Sequence, residues 1–100
     1  MTNDEHTVSK KNIIQVVSER TQVSKIEVKE VVECLLDEIT RNLVQDHEVR
    51  LVGFGSFQVR KRISREGRNP QTGDKITIAS TRTPTFLAGK ALKDAVKGRL

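Results

Sequence analysis

Tryptophan and tyrosine are absent from this chain of 100 residues, and its aromatic content is three phenylalanines. The aromatic platforms on which single-strand binders stack successive bases are therefore missing, and Phe54, Phe57 and Phe86 are read as core residues. Cys34 is the sole cysteine, which excludes an internal disulfide framework and fits a reducing compartment. It is read as a small buried or half-buried helix residue rather than a reactive thiol. No run of about 18 apolar residues exists, and the start MTNDEH is polar and acidic rather than a basic-then-apolar signal, so a cytoplasmic protein without a membrane partner is expected. His6 and His47 are the only histidines, and with Cys34 they form no metal-ligand spacing and no nucleophile–base pair. Glu30, Glu33, Asp37 and Glu38 read as a solvated helix face. The expectation is a non-enzyme with no cofactor, metal or small-molecule substrate.

The apolar inventory is thin as well, at 35% hydrophobic against 31% charged residues. No internal repeat divides the chain, which implies one folding unit. Subtracting an exposed arm and a tail leaves roughly seventy residues for a core, a size at which a lone domain gains little stability. A second copy sharing the core would remove that limit, so a dimer is expected.

Residues 1–8 read as a flexible acidic tail, followed by a domain over 9–100. Ile13, Ile14 and Val17 recur at helical spacing, Ser9 can cap the first turn, and Thr21-Gln22 ends the pattern. Ser24-Lys25-Ile26-Glu27 is a capping-box pattern. It opens a long second helix, about Lys25 to Val44, with an apolar stripe of Val28, Val31, Val32, Leu35, Leu36, Ile39 and Leu43. Asp37 and Arg41 are spaced for an i,i+4 ion pair on its polar face. The two helices make an αα-hairpin over 9–45.

Beyond it Val49-Arg50-Leu51-Val52 reads as a short strand and Gly53-Phe54-Gly55 as a turn. Residues 56–63 alternate, with Phe57, Val59 and Lys61 on one face and Gln58, Arg60 and Arg62 on the other. The apolar face stops at Val59, so the strand is expected to leave the body there. Asn69-Pro70-Gln71-Thr72-Gly73-Asp74 is a reversal in which Pro70 starts the turn and Gly73 supplies positive φ. Lys75 to Ala79 alternates again on the way back, Pro84 is expected to break the ladder, and Gly89 opens a last helix. The fold class is thus α+β: a helical hairpin, a three-stranded antiparallel sheet over 48–59 and 78–87, a long β-ribbon arm over 60–77, and a short C-terminal helix over 89–97.

Charge is distributed unevenly along this layout. Residues 1–50 carry 7 Lys/Arg against 10 Asp/Glu, a net of −3, whereas residues 51–100 carry 11 against 3, a net of +8. A polarised basic half points to a polyanion, with nucleic acid first. Between 60 and 82 the cations are Arg60, Lys61, Arg62, Arg65, Arg68, Lys75 and Arg82, against Glu66 and Asp74. A bare two-stranded hairpin is marginal in water, so an arm this polar implies a ligand that orders it. Its tip suggests which: Pro70 is a rigid apolar wedge flanked by Arg68 and Asn69, residue types with which minor-groove proteins unstack a base step. Lys90, Lys93 and Lys97 share a face of the last helix, and Lys10 and Lys11 begin the first, as further phosphate candidates.

Gly53-Phe54-Gly55-Ser56-Phe57, Arg60-Lys61-Arg62, Gly67-Arg68-Asn69-Pro70-Gln71-Thr72-Gly73, Pro84-Thr85-Phe86 and Gly89-Lys90-Ala91-Leu92-Lys93 resemble the bacterial histone-like HU and integration host factor family. The resemblance runs over about residues 8–97, and the arm-tip motif is highly specific. The acidic start MTNDEH is longer than the family's usual beginning.

The resemblance implies an intertwined dimer whose two arms embrace duplex DNA, with Pro70 wedged between bases. Arg62, Arg65, Arg68 and Asn69 would then be minor-groove contacts, and Lys90, Lys93 and Lys97 phosphate contacts. Arg60, Lys61, Gln71, Lys75, Arg82 and Lys10 complete the expected DNA-binding set. Phe54, Phe57 and Phe86 would lie in the dimer core with Leu35, Leu36 and Ile39. The implied function is a nucleoid-associated protein that bends and compacts DNA with little sequence preference, as a homodimer or as a heterodimer with a paralogue. A sequence-preferring bending factor of the integration host factor type is the alternative. An RNA-binding module is a weaker reading, because A-form grooves suit a ribbon wedge poorly.

Overall fold

In the computed structural model, residues 6–98 are described, and they fall into two units that meet in the chain at Glu38 and Ile39. Of the tail expected over 1–8, residues 1–5 lie outside the described residues.

The first unit is built by its caps. Helix α1 spans Lys10–Thr21. Ser9 Oγ accepts the Asn12 amide at 3.1 Å while Asn12 Oδ1 accepts the Ser9 amide at 3.1 Å, a reciprocal box that satisfies two of the unpaired amides at the helix start. The helix ends at Gln22, left-handed at φ 63°, whose N–H donates to Ser18 O. Helix α2 spans Lys25–Val44 and starts where Ser24 Oγ accepts the Glu27 amide at 3.2 Å, the hydroxyl half of the expected box. Ile14 and Val28, one from each helix, are the buried apolar residues among those described. Much of the α2 stripe is only partly covered: Val31, Leu35 and Leu36 are 67%, 50% and 47% exposed. Cys34, expected to be buried or half-buried, is exposed as well, because no described residue of the single chain covers that side of the helix enough to bury it. The expected Asp37–Arg41 ion pair is not formed among the described residues.

In the second unit, β1 (Val49–Leu51), β2 (Gly55–Arg62) and β5 (Thr81–Ala88) form an antiparallel sheet in the order β1-β2-β5. Strands β3 (Arg65–Arg68) and β4 (Lys75–Ile78) form a separate two-stranded ladder, and α3 covers Lys90–Lys97. Gly53 takes φ +85° in the turn before β2. Phe57 and Phe86 are register partners with ring centroids 4.9 Å apart, and Phe54 lies 5.5 Å from Phe86. The buried Gly55 lets that cluster close, since a β-carbon there would sit 2.6 Å from both the Phe86 ring and Leu87 O.

Several boundaries differ from the sequence reading. Gly55, expected in the turn, starts β2, and β2 stays paired with β5 to Arg62, beyond the expected end of the sheet at residue 59, because backbone pairing continues after the apolar side chains stop. Val52 belongs to the turn, not to β1, and is 95% exposed. Ile78 pairs with Arg65 in the two-stranded ladder, and pairing with β2 resumes only at Thr81, so the sheet's return starts three residues later than expected. The ribbon is interrupted at residues 63–64 and 79–80, yet Arg62↔Thr81 and Arg65↔Ile78 keep one register across the gap. Ile63, at the interruption, is 85% exposed. Finally, Pro84 does not end the ladder but sits within β5 opposite Val59. β5 is an edge strand, where proline's missing N–H need not break a bond to a neighbour.

Candidate nucleic-acid interface

The arm begins where apolar side chains run out. Along β2 the residues are buried or half-buried through Val59 and exposed from Arg60 to Arg62. Alternation along a strand sends Arg60 and Arg62 to one face and Lys61 to the other. The register puts Thr83 opposite Arg60 and Thr81 opposite Arg62. Arg60, Arg62, Thr81, Thr83 and Thr85 together line a shallow groove. Guanidinium forks and hydroxyls on one strip are the donors that phosphate oxygens accept from. Among the described residues Arg60, Arg62, Arg65 and Lys75 enter no ion pair, so their charge is available to an outside anion.

The other face of the arm root is occupied. Lys61 Nζ lies 3.0 Å from Asp46 Oδ2, and Arg82 Nη2 donates to Asp46 Oδ1 at 2.7 Å and to Val44 O at 3.0 Å. Lys61 and Arg82, which the sequence groups with the DNA contacts, are therefore held by a carboxylate that sequence reasoning did not single out. The Arg82 hydrogen bond, then that of Lys61, holds the Asp46 carboxyl below its ordinary value. Glu48 is lowered too, by a hydrogen bond from Gln58 and the charge of Arg50. Arg82 lies 36 positions from Asp46 in the chain, so the only local signal at Asp46 is its place in the helix–strand loop, where it is left-handed at φ 64°.

At the arm tip the backbone hydrogen-bonds to itself. Asn69 N–H donates to Asp74 O at 2.8 Å, Gly73 N–H to Asn69 O at 2.7 Å, and Gln71 N–H to Asn69 Oδ1 at 2.8 Å. Arg68 Nη1 donates to Gly73 O at 3.1 Å, and Gly73 takes φ +77°. These bonds fix the turn around Pro70, which is itself exposed. Asn69 uses its Oδ1 in the turn, which leaves the Nδ2 donors for an outside acceptor.

The remaining candidates lie elsewhere. On α3, Lys90 is paired with Asp94 at 3.2 Å, while Lys93 and Lys97 enter no ion pair among the described residues. Val96, on the same helix, is 66% exposed. In the first unit Lys10 Nζ lies 3.3 Å from Glu33 Oε2, and Lys10, Lys11, Lys25 and Lys29 line a hollow together with Ile14 and Ile26. Of the expected dimer-core residues, Phe54, Phe86, Leu35 and Leu36 are exposed in the single chain, and Phe57 and Ile39 are half-buried.

A helical hairpin, a three-stranded sheet and a cationic ribbon with a rigid proline tip are the architecture of a known class, and the sequence bears this out. A sequence model of the bacterial DNA-binding protein family matches residues 8–97, and the chain belongs to that family. Within it the chain is similar to DNA-binding protein HU-1 of Halalkalibacterium halodurans, 54% identical over 90 residues that cover 90% of this chain and 100% of that protein. It is likewise similar to DNA-binding protein HU-alpha of Escherichia coli, 48% identical over 90 residues with the same shares covered. Among solved structures, the chain resembles HU in an Anabaena HU–DNA cocrystal structure, with a TM-score of 0.76 and 39% identity over 89% of this chain and 97% of that one. HU from Thermotoga maritima matches with a TM-score of 0.63 and 29% identity, covering 89% and 98%.

Proposed function

We propose that the protein is a histone-like, nucleoid-associated factor that binds duplex DNA with little sequence preference and bends it, acting as a dimer and without catalysis. The observation that carries this reading is the exposed Pro70 on a turn fixed by its own hydrogen bonds, at the end of a ribbon on which Arg60, Arg62 and Arg65 enter no ion pair among the described residues. Family membership and a relative crystallised with DNA support it.

The minor groove presents a nearly sequence-blind pattern, so a ribbon that enters it binds broadly. Pro70 wedges into a base step, and Arg62, Arg65, Arg68 and Asn69 contact the groove around it. Arg60, Gln71 and Lys75 hold the backbone along the ribbon. Lys90, Lys93, Lys97 and Lys10 serve as further phosphate contacts. Unstacking costs a few kcal/mol per step and bending about 1–6 kcal/mol more, which phosphate contacts offset. The apolar side chains that a single chain leaves exposed in both units are the reason for a second copy.

Titration of a random-sequence duplex at rising salt tests the electrostatic half. With about six to ten phosphate contacts, affinity falls by about 10³–10⁵ between 50 and 200 mM salt. A flat response, or equal binding of A-form RNA, contradicts the reading.

A further inference from the structure

Asp46 lies just past the C-terminal end of α2, and its two carboxylate oxygens serve cations from two different strands. Lys61 and Arg82 are register partners across β2 and β5, so one carboxylate spans both strands at the arm root. Arg82 also reaches Val44 O at 3.0 Å and Leu43 O at 3.4 Å, among the last carbonyls of α2, where a cation is favoured by the helix dipole. On the opposite face Arg60 and Arg62 line their groove with the threonines of β5, and no ion pair among the described residues involves either.

We propose that Asp46 is a positioning residue that clasps Lys61 and Arg82 to the end of α2, fixing the root of the arm and keeping both cations off the DNA so that, at the arm root, the Arg60/Arg62 face alone meets the duplex. The inference rests on the DNA-binding reading above. An exposed ion pair is weak by itself. Here the two N–H groups of Arg82 Nη2 serve Asp46 and the carbonyls at the end of α2, and Asp46 also meets Lys61, so the pairs form one connected node in which each member limits the motion of the others. The hydrogen bonds from Arg82 and Lys61 hold the Asp46 carboxyl below its ordinary value, so the clasp persists to lower pH than an unpaired aspartate would allow.

The experiment compares the salt dependence of affinity for a random-sequence linear duplex between the full-length protein and its Asp46→Asn and Asp46→Gly variants. Both replacements suit the left-handed backbone at this position, so two independent variants guard against a misfolded one. Loss of the carboxylate frees Lys61, while Arg82 keeps its carbonyl acceptors. The plot of log affinity against log salt therefore steepens by about 0.9 for each Lys61 that reaches a phosphate. Adding Lys61→Gln to Asp46→Asn returns the slope to the wild-type value. A steep wild-type slope left unchanged or made shallower in both variants overturns the clasp alone. A flat wild-type slope overturns the DNA-binding reading on which it rests.

Discussion

A β-carbon at Gly55 would lie 2.6 Å from the Phe86 ring and from Leu87 O, so the close approach of β2 to β5 depends on that one absent atom. Gly55→Ala forces the Phe86 ring aside and is expected to destabilise the fold by about 1–3 kcal/mol, read as a lower denaturant midpoint at unchanged slope. Asp46 makes a second prediction at this scale. Its folded pKa lies below its unfolded value because of Arg82 and Lys61, so its contribution is present above the unfolded pKa of about 3.9 and is lost as pH falls through the lower folded one. An acid titration of stability should therefore be shallower below about pH 4 for Asp46→Asn than for the wild type, and identical curves would contradict this. The residues that sequence reading recovered act locally: Ser9 on Asn12, Ser24 on Glu27, and Gly73 in its own turn. The carboxylate at Asp46 was missed because its partners are brought to it only by the pairing of β2 with β5.

Among the elements, helices were read nearly to the residue because caps and spacing are local signals, and α1 and α2 run over Lys10–Thr21 and Lys25–Val44. Strand limits moved where packing, not pattern, sets them. Ile78 alternates correctly with Ile76 but pairs with Arg65 in the outer ladder, and Pro84 stays in a strand because β5 is at an edge. The alternation that separates Arg60 and Arg62 from Lys61 was visible in the sequence; what lies against each face was not. A functional consequence follows for β2. Arg62→Gln should make the salt dependence of DNA binding shallower by about 0.9 for each phosphate the side chain no longer neutralises. The melting temperature should stay unchanged, since Arg62 makes no ion pair among the described residues.

For the molecule as a whole, the scarcity of aromatic and apolar residues foretold a core that one chain does not close. Among the described residues only Ile14 and Val28 are buried hydrophobics, while Phe54, Leu35 and Leu36 remain about half exposed. Melting midpoints should accordingly rise with protein concentration, and a midpoint independent of concentration would mean a stable monomer. The central claim, that the fixed proline at the end of the ribbon pries base pairs apart and so bends the duplex, is tested most directly by end-to-end energy transfer on a random-sequence duplex bound by wild type and by Pro70→Ala. Since the arginines are untouched, the variant should keep most of its affinity yet leave the ends clearly farther apart than the wild type does; equal end-to-end distances at saturation would contradict the account.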